Sequence, residues 1–169
     1  MKKKGLSKME KKEIAKQAEN LLIKFGYNIE SATYVDITKL ATSAGFRVGE
    51  SKKIPFIRDG FMDRENLIIG VNFDRTMEEK RFIVAHELAH YYLESQGTVR
   101  HRDHVKGKDE QENEADYFAA CILMPQHSFV RHYNQLKERG LGIVDIIDNL
   151  QAIFKTPRES VKRRIGEVC

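Results

Sequence analysis

One stretch limits what this chain can fold into more than any other: Phe82-Ile83-Val84-Ala85-His86-Glu87-Leu88-Ala89-His90-Tyr91-Tyr92-Leu93. Apart from His86, Glu87 and His90, every residue in it is apolar or aromatic. Plotted at a helical period, the apolar positions go all the way round, so the helix belongs in an interior and is buried on most sides. Three ionisable side chains there need a partner, because an unpaired buried polar group is costly. His86 and His90, at i and i+4, share a face and can converge on one ion, while Glu87 sits within a turn of them. A Zn2+ ion bound by both imidazoles meets that need. Glu87 is then placed to take a proton from the attacking water and deliver it to a leaving amine. The bland alternative is a pair of hydrogen-bonded core histidines that bracket a glutamate. One lone histidine would favour it; this pentapeptide in an all-apolar helix does not.

Two histidines leave a zinc site incomplete, since catalytic sites commonly have three protein ligands and a water. Leu93 and Gln96 stand where the extended metzincin pattern requires glycine and histidine, which rules that class out. A glutamate on a second, downstream helix remains, and Glu112 and Glu114 are the candidates. Glu112 has Asp116 one turn on, beside Ala115 and Ala119, small enough to let that helix approach the first closely. Asp116 can then hydrogen-bond the free ring nitrogen of a zinc-bound histidine. Glu114 projects to the other edge, with Tyr117 and Cys121. Glu112 is the preferred ligand, against the reading that it only completes an Asp109-x-x-Glu112 capping box.

With 169 residues, 41% of them hydrophobic and 32% charged, the chain has the make-up of one soluble globular domain. No apolar run reaches transmembrane length. The basic start, Met1 to Lys4, leads into Met9-Glu10-Lys11-Lys12-Glu13 rather than an apolar segment, so no secretory signal is expected. Cys121 and Cys169 form no disulfide framework and no ligand spacing, which suits a reducing cytoplasm. The net charge of +4 is uneven. Lysines crowd the first turns, and Lys155, Arg158, Lys162, Arg163 and Arg164 crowd the end. Such runs can meet nucleic acid or an acidic partner, but are more often solvated faces, and the solvated reading is taken here.

In chain order, residues 8–25 read as an amphipathic helix with Ile14, Ala18, Leu21, Leu22 and Phe25 on one side, ended by Gly26. Asp36 caps a helix over 37–44, stopped by Gly45. Strands are expected over 46–48, 55–62 and 66–72, with a hairpin turn at Asp63–Asn66, in a small, mostly antiparallel sheet. Thr76-x-x-Glu79 is a capping box that starts the central helix near Met77. A polar loop, Ser95–Lys108, carrying His101 and His104, covers the site. The next helix spans 109–124 and ends at Pro125. Ser128 is expected to cap another that closes at Gly140, and a helix follows over 143–154. Thr156-Pro157-Arg158-Glu159 reads as a second capping box with proline at the first helical position, before a short basic helix.

These pieces together resemble the ImmA/IrrE family of metallopeptidases. The likeness is carried by Arg81-Phe82 leading into His86-Glu87-Leu88-Ala89-His90-Tyr91, then Glu112-x-Glu114-Ala115-Asp116-x-Phe118-Ala119, then Ile122-Leu123-Met124-Pro125. The closing Phe154 to Ile165 resembles the family's helix-turn-helix-like segment. The resemblance implies an α+β, zincin-like fold in which a small, mostly antiparallel sheet packs on a central HExxH helix with additional helices. It implies zinc held by His86, His90 and Glu112, with Glu87 as general base. It also implies a protein substrate, a helix-turn-helix repressor of a mobile element or stress response, cut at one site. A single domain over 1–169 is expected: N-terminal helices over about 8–44, sheet over about 46–72, catalytic helices over about 77–124 and the helix-turn-helix-like segment over about 128–166. No added sensor domain like that of some relatives is recognised.

Two other readings compete. Residues 143–165 suit a DNA-binding helix pair, with Arg158, Lys162, Arg163 and Arg164 on phosphates. Alternatively, the chain is a toxin–antitoxin component or a partner-binding module without catalysis. Tyr91, Tyr92, His101, His104 and His127 are unranked candidates for the donor to a developing oxyanion.

Overall fold

The computed structural model describes residues 5–54, 59–95 and 108–169, and the elements below lie within them. Helix α1 (Lys8–Lys24) opens on a capping box that the sequence reading does not contain. Ser7 Oγ accepts from Glu10 N–H at 3.3 Å, and the Glu10 carboxylate accepts from Ser7 N–H at 2.8 Å. The helix buries the expected Ile14, Ala18, Leu21 and Leu22. Asp36 caps α2 (Ile37–Ser43) by accepting from Lys39 N–H at 2.9 Å. Gly26 and Gly45 follow these helices with φ of 81° and 96°, a region closed to most side chains.

Three strands follow: β1 (Arg47–Ser51), β2 (Gly60–Asp63) and β3 (Ile68–Asn72), in the order β1-β3-β2. The turn between β2 and β3 falls where expected. The Asp63 carboxylate accepts from the Glu65 and Asn66 amides at 3.1 and 3.0 Å and from Asn66 Nδ2 at 2.8 Å. The sheet, however, is mixed rather than mostly antiparallel: β2 pairs antiparallel with β3, but β1 pairs parallel with it. The cause is that β3 is the most buried strand, so it takes the centre. The hairpin fills one of its edges with β2, and the earlier β1 is left the other. Residues 55–58, the first part of the expected second strand, lie outside the described residues.

Helix α3 (Met77–Ser95) starts at the expected box, with Thr76 Oγ1 accepting from Glu79 N–H at 3.2 Å and Glu79 accepting from Thr76 N–H at 2.7 Å. Then come α4 (Lys108–Leu123), α5 (Gln126–Glu138), α6 (Ile143–Phe154) and α7 (Arg158–Val168). Two expected helix caps are not used. Ser128 is fully buried inside the first turn of α5, because the chain re-enters a helix directly after Pro125. Thr156 is also fully buried. Lys155 ends α6 in a left-handed conformation, φ 52°, and Thr156 Oγ1 is turned inward to Met124 Sδ at 3.5 Å. Glu159, freed of any capping role, binds Lys162 at 2.6 Å.

The buried side chains form two clusters. The larger joins α1, α2, the sheet, α3 and most of α4. The smaller joins α5, α6 and α7 with Ala120 near the end of α4 and Met124 just after it. Helix α4 is therefore shared by both, with one part beside α3 and its end beneath the C-terminal helices. Among the described residues no helix is long and apolar enough to cross a membrane.

Candidate metal centre

The site is built on the contact between α3 and α4, where small residues let two backbones come close. Ala85 and Ala89 on α3 and Ala115 and Ala119 on α4 are all fully buried. The rest of α3 is held from several sides, with Ile83, Val84, Leu88 and Leu93 in the core. Arg81 pins its first turns: Nε–H donates to Lys155 O and Nη2 to Val35 O, each at 3.0 Å, with Tyr34 packed 4.3 Å from the guanidinium. A helix fixed at both ends of the chain presents its polar face at one defined place.

That face carries His86, Glu87 and His90, all half-buried. His86 Nε2 lies 3.1 Å from His90 Nε2 and 3.1 Å from Glu112 Oε2, and His90 Nε2 lies 3.4 Å from Glu112 Oε1. The other nitrogen of His86, Nδ1, is 2.9 Å from Asp116 Oδ1. A carboxylate can only accept, so Nδ1 carries the hydrogen and donates it to Asp116, and in the neutral ring Nε2 keeps its lone pair. That lone pair faces a second imidazole nitrogen and a carboxylate. Three such atoms facing one another are compatible with a cation between them. Their spacing also fits: ligands about 2.0–2.1 Å from a tetrahedral zinc stand roughly 3.3 Å apart. Among the described residues, His86, His90 and Glu112 are the one group of three able to hold a metal ion. Glu114 is buried outside that group.

The electrostatics follow from the same contacts. Burial would depress the His86 imidazole, but the Asp116 hydrogen bond and charge, with Glu112 and Glu87, outweigh it and raise the pKa. Burial and the neighbouring His86 lower that of His90, against the pull of Glu112 and Glu94. Burial pushes the Glu87 carboxyl up, reinforced by Glu112 and opposed by His86 and Arg64. Burial would raise Asp116 as well; its contacts with His86 and Arg163 prevail and lower it.

Residues 41–166 match the family model of the IrrE N-terminal-like domain, Peptidase M78. The chain belongs to this metallopeptidase family. Among solved structures, a Mycobacterium tuberculosis transcriptional regulator is similar at a TM-score of 0.68 and 18% identity, over 89% of this chain and 45% of that one. The likeness is one of fold, and the chain spans less than half the length of that relative. No curated protein matches the chain. The mixed α+β fold, with its small sheet and seven described helices, is the one expected of the M78 family.

Two residues that the sequence does not assign to this site stand beside it. Arg163 Nη1, from α7, lies 3.2 Å from the second Asp116 oxygen. Arg64, from the β2–β3 turn, donates to His90 O at 3.5 Å and pairs with Glu94 at 2.5 Å. Each is brought in by tertiary packing from far along the chain, so no spacing signals it. Of the candidate oxyanion donors, Tyr91 packs edge-on against Phe46 at 4.9 Å and Tyr92 stacks on Phe118 at 6.4 Å. His127 lies 3.6 Å from Glu30. His101 and His104, with most of the polar loop, lie outside the described residues.

Proposed function

We propose that the protein is a zinc-dependent endopeptidase that cuts a cognate protein, a helix-turn-helix repressor, at one exposed segment. The observation that carries this reading is the convergence of His86, His90 and Glu112 beside the half-buried carboxylate of Glu87. Zinc held by these three residues supplies Lewis acidity toward a scissile carbonyl and makes water acidic enough to be deprotonated near neutral pH. Glu87 accepts the proton of the attacking water and passes it to the leaving amine. Asp116 holds the His86 ring with Nε2 turned to the centre.

The sheet supports the choice of an extended substrate. Strand β2 lies at its edge, and its first residue, Gly60, is so close to α3 that a Cβ there would stand 2.5 Å from Ile83 Cγ2 and 3.9 Å from Glu87 Oε1. A peptide adding to this edge as a further strand passes the glutamate, held by backbone hydrogen bonds and selected for being extended and unpaired. A folded partner is therefore cut only in a loop or linker. The resemblance to the ImmA/IrrE family supports a repressor as that partner.

The test mixes wild type and Glu87→Gln separately with the repressor encoded beside this protein and reads fragment masses. One cut by the wild type and none by the variant is expected, with little activity on casein. Rapid cleavage of casein at many sites would remove the switch-protease reading and leave the zinc chemistry. Tight repressor binding by both proteins without cleavage would remove the enzyme reading.

A further inference from the structure

Helix α7 reaches the metal centre through a single side chain. Its Arg163 is the residue that closes a three-membered chain into the site: Arg163 Nη1 to Asp116 Oδ2 at 3.2 Å, then Asp116 Oδ1 to His86 Nδ1 at 2.9 Å. The two oxygens of Asp116 are divided between them. A carboxylate held at one oxygen can still rotate about its side-chain bonds; held at both, its plane is set, and so is the ring bonded to it. Asp116 thus takes one end of its position from α4 and the other from a helix in the second hydrophobic cluster. We infer that Arg163 is a positioning residue for the metal centre, acting through Asp116 on His86, so that the placement of α7 controls how well the site holds its ion. This rests on the metallopeptidase reading above.

Other features of α7 indicate that the contact is more than a chance surface pair. The neighbouring cations are committed elsewhere: Lys162 to Glu159 at 2.6 Å, and Arg164, 1% exposed, donating Nε–H to Met124 O at 3.3 Å. Buried Arg164 and Val161 anchor α7 and fix the side from which Arg163 reaches. A cavity of about 220 Å³, lined by Asn113, Asp116, Ser160 and Arg163 among others, opens beside the pair. With its side chain 61% exposed, Arg163 meets water and salt, so its influence is modest and is screened by added ions.

Zinc affinity of the full chain, measured by competition with a chromophoric chelator, tests this without relying on activity. Asp116→Ala should weaken binding by roughly 10–100-fold. Arg163→Ala should weaken it by roughly 2–5-fold, the range an exposed charge pair supplies. Arg163→Lys should recover most of that loss, and the difference from wild type should shrink at high salt. In an Asp116→Ala background, Arg163→Ala should have no further effect, since the two act as one unit. The visible spectrum of the cobalt(II)-loaded protein should change in the same order. An Arg163→Ala loss that persists without Asp116, or that Lys162→Ala reproduces, would make Arg163 a merely structural pin and overturn the inference. Unchanged affinity in Arg163→Ala, with zinc lost in His86→Ala, would overturn it alone. Zinc retained in His86→Ala would remove the metal-centre reading and the inference together.

Discussion

The α3–α4 contact and the α6–α7 pair are both helical, both rich in ionisable residues, and opposite in what they do with them. At α3–α4, like groups converge: two imidazole nitrogens and a carboxylate within 3.1–3.4 Å of one another, with Glu87 alongside. At α6–α7, each cation meets an acceptor of its own. Arg158 pairs with Asp148, Lys162 with Glu159, Arg163 with Asp116, and buried Arg164 with the Met124 carbonyl. The first arrangement gathers groups able to hold a cation; in the second each cation already faces an acceptor. Charge density along a sequence therefore says little about where ligands bind. What matters is whether the fold leaves groups facing one another or facing their opposites.

The largest expected effect is at the α3–α4 centre. His86→Ala or His90→Ala should lose most of the bound zinc, read as metal per chain after dialysis, because two protein ligands seldom retain the ion. Glu112→Gln should follow them, whereas Glu114→Gln should keep its metal, since Glu114 is buried outside the cluster. Glu87→Gln should keep the metal too and lose hydrolysis by roughly 10²–10⁴-fold, the contribution of a general base. Equal metal loss in Glu112→Gln and Glu114→Gln would break the comparison where it is sharpest.

How much of this was open to reading from the sequence follows from the distance over which each feature acts. His86 and His90 are legible because helical periodicity alone places them on one face, with Glu87 within a turn of them. Glu112 and Asp116 are legible one step later, since Ala115 and Ala119 mark the surface that meets α3. Thr76 with Glu79 and Asp36 with Lys39 are caps decided within one turn, and both are where the local pattern puts them. Thr156 has the same local pattern and fails, because Lys155 turns it inward and Met124 receives it. The parallel pairing of β1 with β3 is equally hidden: each strand looks alike in sequence, and only the competition for the central position settles the order. Arg164 shows the limit most plainly. As one of a run of terminal cations it reads as solvated, yet it is among the largest fully buried side chains of the chain.

An intermediate effect is expected from that arginine. Its stem and guanidinium lie among Tyr117, Cys121 and Glu167, with Glu167 Oε2 3.7 Å from Nη1. Arg164→Ala removes the packing of a buried side chain and leaves Glu167 with Lys11, 3.7 Å from its other oxygen, as its one remaining cation, a loss of about 2–3 kcal/mol in unfolding free energy. Zinc binding by the folded fraction should change far less than in the ligand variants, because Arg164 touches none of His86, His90, Glu112 or Asp116. Urea denaturation and metal titration on the same protein read both quantities. Loss of zinc equal to that of His86→Ala in a still-folded Arg164→Ala protein would show that the two regions are not separable in this way.

The smallest effect is expected at Arg158 and Lys162, and it decides between the peptidase and the DNA-binding readings. Both are partly exposed, and each already faces a carboxylate on the same pair of helices. A phosphate approaching Lys162 meets Glu159, and one approaching Arg158 meets Asp148, so each contact would require displacing a partner and tolerating its negative charge. Such pairs contribute little to stability; Lys162→Ala should change it by no more than about 0.5 kcal/mol. Duplex DNA should show no salt-dependent binding near physiological ionic strength, and Arg158→Ala with Lys162→Ala should leave that result unchanged. A DNA-reading surface behaves otherwise: affinity falls steeply with salt, and each phosphate-contacting cation removed lowers the salt slope by about 1. Observing that slope, and its reduction in the double variant, would show that α6–α7 releases its internal pairs to a polyanion and would put the DNA-binding reading ahead of the peptidase one.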